Sequence, residues 1–295
     1  MKADSLDNPS GPVHALLSGL TYAALVGTSL LMLTPFAWLV CASLKAPEIY
    51  FESPFLPRGE GLLGVAWDKL TFAYFADLFG GKSISFGNNI LNSVFYASVT
   101  AVLATLFSAM GGYALAKFQF RLRGPVTLLV LSSLLIPGSL LLAPGYQLLF
   151  KLNLLDSFAG LILPGLAPAF GVFLFRQTMI NAVPLDLLEA ARIDGAGEFR
   201  TFFTIVLPLV RPMLGAFLLI TFLGCWNNFI GPQIVLQSPE KFPLAVAIAQ
   251  LKGLYSTNYG LLMAGTIVSI APVMALFLLL QKEFIAGLTS GAVKG

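Results

Sequence analysis

Apolar residues in this chain come in long runs, broken by short polar stretches, and strand-like alternation is rare. Six runs reach the roughly 20 residues that a helix needs to cross a bilayer: 16–43, 89–116, 125–149, 158–179, 213–235 and 259–280. The pattern predicts an all-α polytopic membrane protein, one transmembrane domain over residues 1–295 with six spanning helices. The first run is too long, and too poor in basic residues ahead of it, for a cleaved signal peptide, and Pro35 inside it predicts a kink or a depth boundary. In the second run small residues recur every fourth position, at Thr100, Ala104, Ser108, Gly112 and Ala116. Positions four apart share a helix face, and small side chains let a second backbone come close, so this face predicts a tight helix–helix seam.

The most informative polar stretch lies in the loop at about 180–212. Pro184 suits the first turn of a helix, and Asp186 and Glu189 follow where carboxylates favour the positive end of the helix dipole. Glu189 and Arg192 are spaced to pair weakly on its exposed face. Gly195 stops this helix, because glycine accepts the left-handed conformation that a C-terminal cap requires. A second short helix follows, with Phe199, Phe202, Phe203 and Val206 in one apolar stripe, and Pro208 ends or kinks it. Two short helices joined at a glycine elbow make a knob. Its first, acidic helix suits docking in a groove of another protein, and its second suits packing at the membrane.

Composition agrees with the pattern. The chain is 57% hydrophobic and 11% charged, against about 25% charged in soluble domains, and a fold cannot bury that much apolar surface within itself. A net charge of +3 is too small to suggest nucleic acid. Cys41 and Cys225 both fall in apolar runs and read as buried thiols, and one histidine, His14, excludes a histidine-rich metal or catalytic constellation. No run carries a charge in its middle, which disfavours ion coupling. The most polar cluster at membrane depth is Trp226-Asn227-Asn228. A ring beside two amides can stack on and hydrogen-bond a sugar-like ligand, which makes these residues a candidate substrate path, although interfacial anchoring and helix capping account for them equally well. Gly80-Gly81-Lys82-Ser83 resembles the end of a phosphate-binding loop, but Ala76 stands where that motif needs glycine.

Lysine and arginine set the expected orientation. Lys117, Arg121 and Arg123 follow the second run, and Arg176, Arg192, Arg200 and Arg211 cluster around the loop after the fourth, whereas only Lys151 follows the third. By the positive-inside rule the even-numbered loops face the cytoplasm, as do both termini. The loop at about 45–87 then lies outside, and its Phe51, Phe55, Leu56 and Trp67 suggest packing on the membrane surface or a partner.

Glu189-Ala190-Ala191, Asp194-Gly195-Ala196 and Ile205-Val206-Leu207-Pro208 together resemble the E-A-A signature of binding-protein-dependent ABC importer permeases. The ending Gly287–Gly295 and Trp226-Asn227-Asn228-Phe229 with Pro232 are similar to the carbohydrate-uptake branch, the subunit like the smaller maltose or glycerol-phosphate permease. The resemblance implies a non-catalytic subunit of a bacterial or archaeal cytoplasmic membrane. It forms half of a pore with a second, different permease chain, among membrane lipid and without nucleic acid. Substrate, a sugar or sugar-like solute, arrives on an extracytoplasmic binding protein. ATP and Mg would be bound by two cytoplasmic ATPase subunits, with no cofactor on this chain. On that comparison Leu185, Leu188, Glu189, Ala190, Ala191, Asp194, Gly195 and Ala196 form the ATPase-docking loop, Phe199, Phe202, Phe203 and Pro208 anchor it to this chain's own helices, and the tail at about 281–295 approaches the ATPase. An ion-coupled carrier acting alone, or a membrane scaffold that recruits an ATPase, are the alternatives.

Overall fold

The computed structural model describes residues 12–80, 85–252 and 258–289. Its helices are α1 (Pro12–Leu44), α2 (Ala73–Phe79), α3 (Phe86–Lys117), α4 (Arg123–Ser133), α5 (Leu142–Lys151), α6 (Phe158–Ile162), α7 (Ala169–Ala182), α8 (Leu185–Ile193), α9 (Glu198–Thr201), α10 (Leu207–Leu209), α11 (Arg211–Trp226), α12 (Ile230–Val235), α13 (Leu244–Gln250) and α14 (Tyr259–Thr289). Among the described residues β pairing is confined to isolated bridges, including Lys45–Leu70 and Arg58–Val65, and there is no strand. Of the decoy phosphate loop, Gly81, Lys82 and Ser83 lie outside the described residues, and Ala76 sits inside a helix, not after a strand. The last residues of the Gly287–Gly295 ending, 290–295, also lie outside, and α14 carries the chain as helix to Thr289.

Four helices are long and apolar enough to cross a membrane whole: Ala15–Leu44, Phe86–Lys117, Phe158–Ala182 and Tyr259–Lys282. The helix around Pro35 is continuous. The other two expected spans are broken. The third is α4 and the segment Gly138–Lys151 that contains α5, which meet at 97°. Pro137 explains the break: it has no N–H to continue α4 and it pushes Ile136 out of helical geometry, so residues 134–136 close the helix with bonds to residues three back. The fifth is α11, which bends 84° from the segment Glu198–Leu209 and stops at Trp226. Pro232 cannot donate to the Asn228 carbonyl, and Asn228 turns its side-chain oxygen to the Gly231 N–H at 3.1 Å, so the chain restarts as α12.

The chain divides into two compact units, Met1–Asp77 with Ser256–Ile267 and Leu78–Tyr255 with Val268–Gly295. In the first, antiparallel bridges Lys45–Leu70 and Arg58–Val65 pin the loop that follows α1. Lys45 is buried, its ammonium donates to the Ser53 carbonyl, and burial lowers its pKa. Phe51, Phe55 and Trp67 remain exposed and Leu56 half-buried. The second unit is organised around α3, packed against α7 and α11. The small-residue ladder is the seam: Thr100, Ala104, Ser108, Gly112 and Ala116 are all buried. A Cβ on Gly112 would stand 2.6 Å from the Phe175 Cβ and 2.7 Å from the Arg176 backbone nitrogen, so only glycine allows α3 and α7 to pack this closely here.

Candidate functional site

The loop at 180–212 folds as two helices about a glycine turn. Pro184 stands just ahead of α8, one position before the expected first turn, with φ near −64°. At the other end the Gly195 N–H donates to the Arg192 carbonyl (3.0 Å) and the Ala196 N–H to the Ala191 carbonyl (2.9 Å). This is the paired pattern of a Schellman cap, and Gly195 supplies the positive φ of 76° that it requires.

α8 has two faces. Leu188, 2% exposed, is packed into the core with Tyr113, Phe175, Met179 and Val183, and Ala191 is buried too. They were expected on the docking face; covered already by their own chain, they cannot touch another. The outward face carries Leu185, Leu187, Glu189, Ala190 and Ile193, with Asp194 and Gly195 at its end and Ala196 half-buried beyond them. Ile193, at 86% exposure, and Leu187 were not singled out from the sequence. Arg192 pairs with Glu198 at 3.0 Å; the expected partner, Glu189, stays exposed.

The second helix anchors by one edge of its stripe. Phe202 and Val206 are buried, while Phe199 (72% exposed) and Phe203 face outward, so these two do not serve as the expected anchors. The Tyr113 ring lies between Phe118 and Phe202, with centroids 5.3 and 5.5 Å away, and its hydroxyl donates to Glu198 Oε2 at 3.3 Å. A single π turn, Phe202–Val206, carries the chain into α10. Pro208 continues within α10, and the sharp bend falls two residues later, at Val210. Further bonds tie α3 to this loop and to α4. Lys117 Nζ donates to the Val183 carbonyl at 2.5 Å, and Arg123 donates to the carbonyls of Leu115 and Ala116 at the end of α3.

The cluster at 226–228 is divided. Trp226 is buried, stacks on Phe222 with centroids 5.6 Å apart, and donates its indole N–H to the Ser269 carbonyl at 3.2 Å. Its ring and its donor are both used inside the protein, where the sequence had suggested a substrate path. Asn227 is exposed where α11 ends. Asn228 donates to the Tyr96 hydroxyl at 3.4 Å, and the two line a cavity of about 250 Å³ together with Tyr146 of α5. Tyr96 and Tyr146 could not have been joined to Asn228 from sequence spacing.

A second polar centre went unnoticed in the sequence. Asp156, in the loop between α5 and α6, accepts from Lys241 Nζ at 2.8 Å, from the Ser238 hydroxyl at 2.6 Å, and from the Gln237 and Ser238 N–H groups at 3.0 and 2.9 Å. The Lys241 ammonium first, then these donors, hold its carboxyl well below the usual carboxylate range. Next to this clamp, Asn89, Asn92 and Ser93 at the start of α3 bond the backbone of residues 240–244. Together these bonds fix the 236–244 segment at one end of the bundle.

Residues 102–288 match the family described as binding-protein-dependent transport system inner membrane component. The chain belongs to this family. This transport component is 40% identical over 267 residues to the arabinooligosaccharides transport system permease protein AraQ of Bacillus subtilis, a match covering 90% of this chain and 92% of that one. It is 32% identical to the lactose transport system permease protein LacG of Rhizobium radiobacter, with 92% and 95% covered. It is 33% identical to the sn-glycerol-3-phosphate transport system permease protein UgpE of Yersinia pestis, with 90% and 92% covered. Its fold is that of a chain in the crystal structure of a bacterial ABC transporter involved in the import of the acidic polysaccharide alginate, with TM-score 0.79, 22% identity, and coverage of 94% of this chain and 100% of that chain. As an inner membrane transport component it is a permease subunit.

Proposed function

We propose that this permease forms half of the pore of an ATP-driven importer for an oligosaccharide or related sugar-like solute, and that the outward face of α8 is where a separate ATPase subunit docks. The observation that carries the docking assignment is the exposed row Leu185, Glu189 and Ile193, with Ala190 beside it, on a helix whose opposite face is locked into the permease core. Exposed apolar side chains rimmed by acidic ones, on a short helix with fixed ends, are what a groove-docking element requires. The positive-inside distribution of lysine and arginine supports a cytoplasmic position for this face and for both termini, and with it a position for the 236–244 segment on the side from which a binding protein would deliver substrate. ATP and Mg belong to the ATPase subunits and none to this chain; a second, different permease completes the pore. The relatives named for arabinooligosaccharides, lactose and glycerol phosphate support the substrate class.

The test is co-purification with the second permease and ATPase encoded beside this chain, followed by ATP hydrolysis in vesicles with and without the binding protein. Replacing Leu185 and Ile193 together with aspartate should release the ATPase and leave the permease pair intact. Uptake by this chain without any ATPase would refute the proposal in favour of a carrier acting alone, and hydrolysis indifferent to the binding protein would favour a scaffold.

A further inference from the structure

The weak point of the loop as a mechanical link is its elbow. Gly195, Ala196 and Gly197 carry almost no side chain between α8 and the continuous helical segment Glu198–Leu209 that α9 begins. Leu188 ties the middle of α8 to the core beside α3, but the C-terminal end of α8 and the start of α9 meet only through this turn and need a brace of their own. Glu198 is placed to supply it. Its Oε1 takes the Arg192 guanidinium at 3.0 Å, from the last turn of α8. Its Oε2 takes the Tyr113 hydroxyl at 3.3 Å, from the last turns of α3. One carboxylate thus joins the end of α8, the start of α9 and the central helix of the bundle.

We propose that Glu198 is the positioning residue that makes the α8–α9 elbow and α3 move as one body, so that displacement of the docking helix reaches the pore. This rests on the docking reading of α8. The Arg192 and Glu198 side chains are 48% and 43% exposed, so the pair adds little to stability on its own. Two observations support the bracing role. Both carboxylate oxygens are engaged, which fixes the angle as well as the distance between the parts. And Tyr113 is itself held, its ring between Phe118 and Phe202, so its hydroxyl is a fixed point and not a flexible tether.

The test uses the whole importer, with second permease, ATPase subunits and binding protein, in vesicles, with labelled arabinotriose as the transported probe. For Glu198→Gln, ATP hydrolysis should stay within about twofold of wild type because the pair is exposed, while sugar taken up per ATP should fall about tenfold, the size of an ordinary coupling between sites. Tyr113→Phe should lower the same ratio with ATPase association unchanged. Arg192→Gln should lower the ratio as well, again with ATPase association unchanged. An unchanged ratio in both E198Q and Y113F would overturn the inference and leave the docking reading standing. A wild-type complex without binding-protein-dependent hydrolysis would overturn both.

Discussion

Replacing Gly112 with alanine should separate α3 from α7. The added Cβ would lie 2.6 Å from the Phe175 Cβ, 2.7 Å from the Arg176 nitrogen and 2.8 Å from the Phe175 carbonyl carbon. Two of these are backbone atoms of a helix and cannot rotate away, so relief to ordinary contact requires the helices to part by close to 1 Å. A gap of that size forfeits a quarter to a half of each atom-pair attraction; over ~50 pairs at ~0.15 kcal/mol each, about what one well-buried leucine makes, the loss is ~2–4 kcal/mol. That agrees with the ~1–3 kcal/mol usual for overpacked cores. Alanine's better helix propensity returns up to ~1 kcal/mol, leaving a net loss of ~1–3 kcal/mol. The neighbour Gly111 is the control: a Cβ there meets the Val172 side chain at 3.4 Å, a contact that needs little or no adjustment, so Gly111→Ala should be neutral or slightly stabilising. Unfolding of the purified chain in mixed micelles by a denaturing detergent, followed by tryptophan fluorescence, measures both. Equal stability of G111A and G112A, or a G112A chain as stable as wild type, would refute the seam.

Three further outcomes follow from particular contacts. Because the folded pKa of Asp156 is depressed, its carboxylate contributes stability above its unfolded pKa of about 3.9 and loses it as pH falls toward the lower folded value; Asp156→Asn should be less stable at neutral pH and lack this acid-side loss, as a pH series of melting temperatures would show. Leu188→Ala should cost ~2–5 kcal/mol by opening a core cavity, whereas Ile193→Ala should leave the melting temperature alone and weaken ATPase co-purification; a reversed pair of results would mean that the faces of α8 are exchanged. Gly195→Val forces a branched side chain to a φ of 76°, costing at least ~1–2 kcal/mol locally; transport should fail while membrane insertion, followed by protease protection, is normal.

Much of the architecture was legible locally. The apolar runs mark the membrane segments because a bilayer demands about 20 apolar residues in a row. The small-residue ladder and the Gly195 turn could be read because spacing along a helix, and the φ that only glycine takes easily, are properties of the chain itself. The breaks in the third and fifth spans had their signals in Pro137 and Pro232, but composition alone does not distinguish a proline that a helix absorbs, like Pro35, from one that ends it.

What the sequence determined was therefore which segments are helical and which residues share a face; the tertiary structure decided which face turns inward. Periodicity fixes the angles between residues on α8 and leaves its rotation about its own axis free. Packing with Tyr113, Phe175 and Phe202 turns Leu188 inward, Ala191 is buried with it, and Leu185 and Ile193 are left outside. The phenylalanine stripe was rotated in the same way, so that Phe202 anchors and Phe199 does not. Asp156 with Lys241, and Tyr113 with Glu198, are 85 residues apart in each case. No local pattern announces such pairs, because a polar side chain meets its partner only after the helices between them have packed.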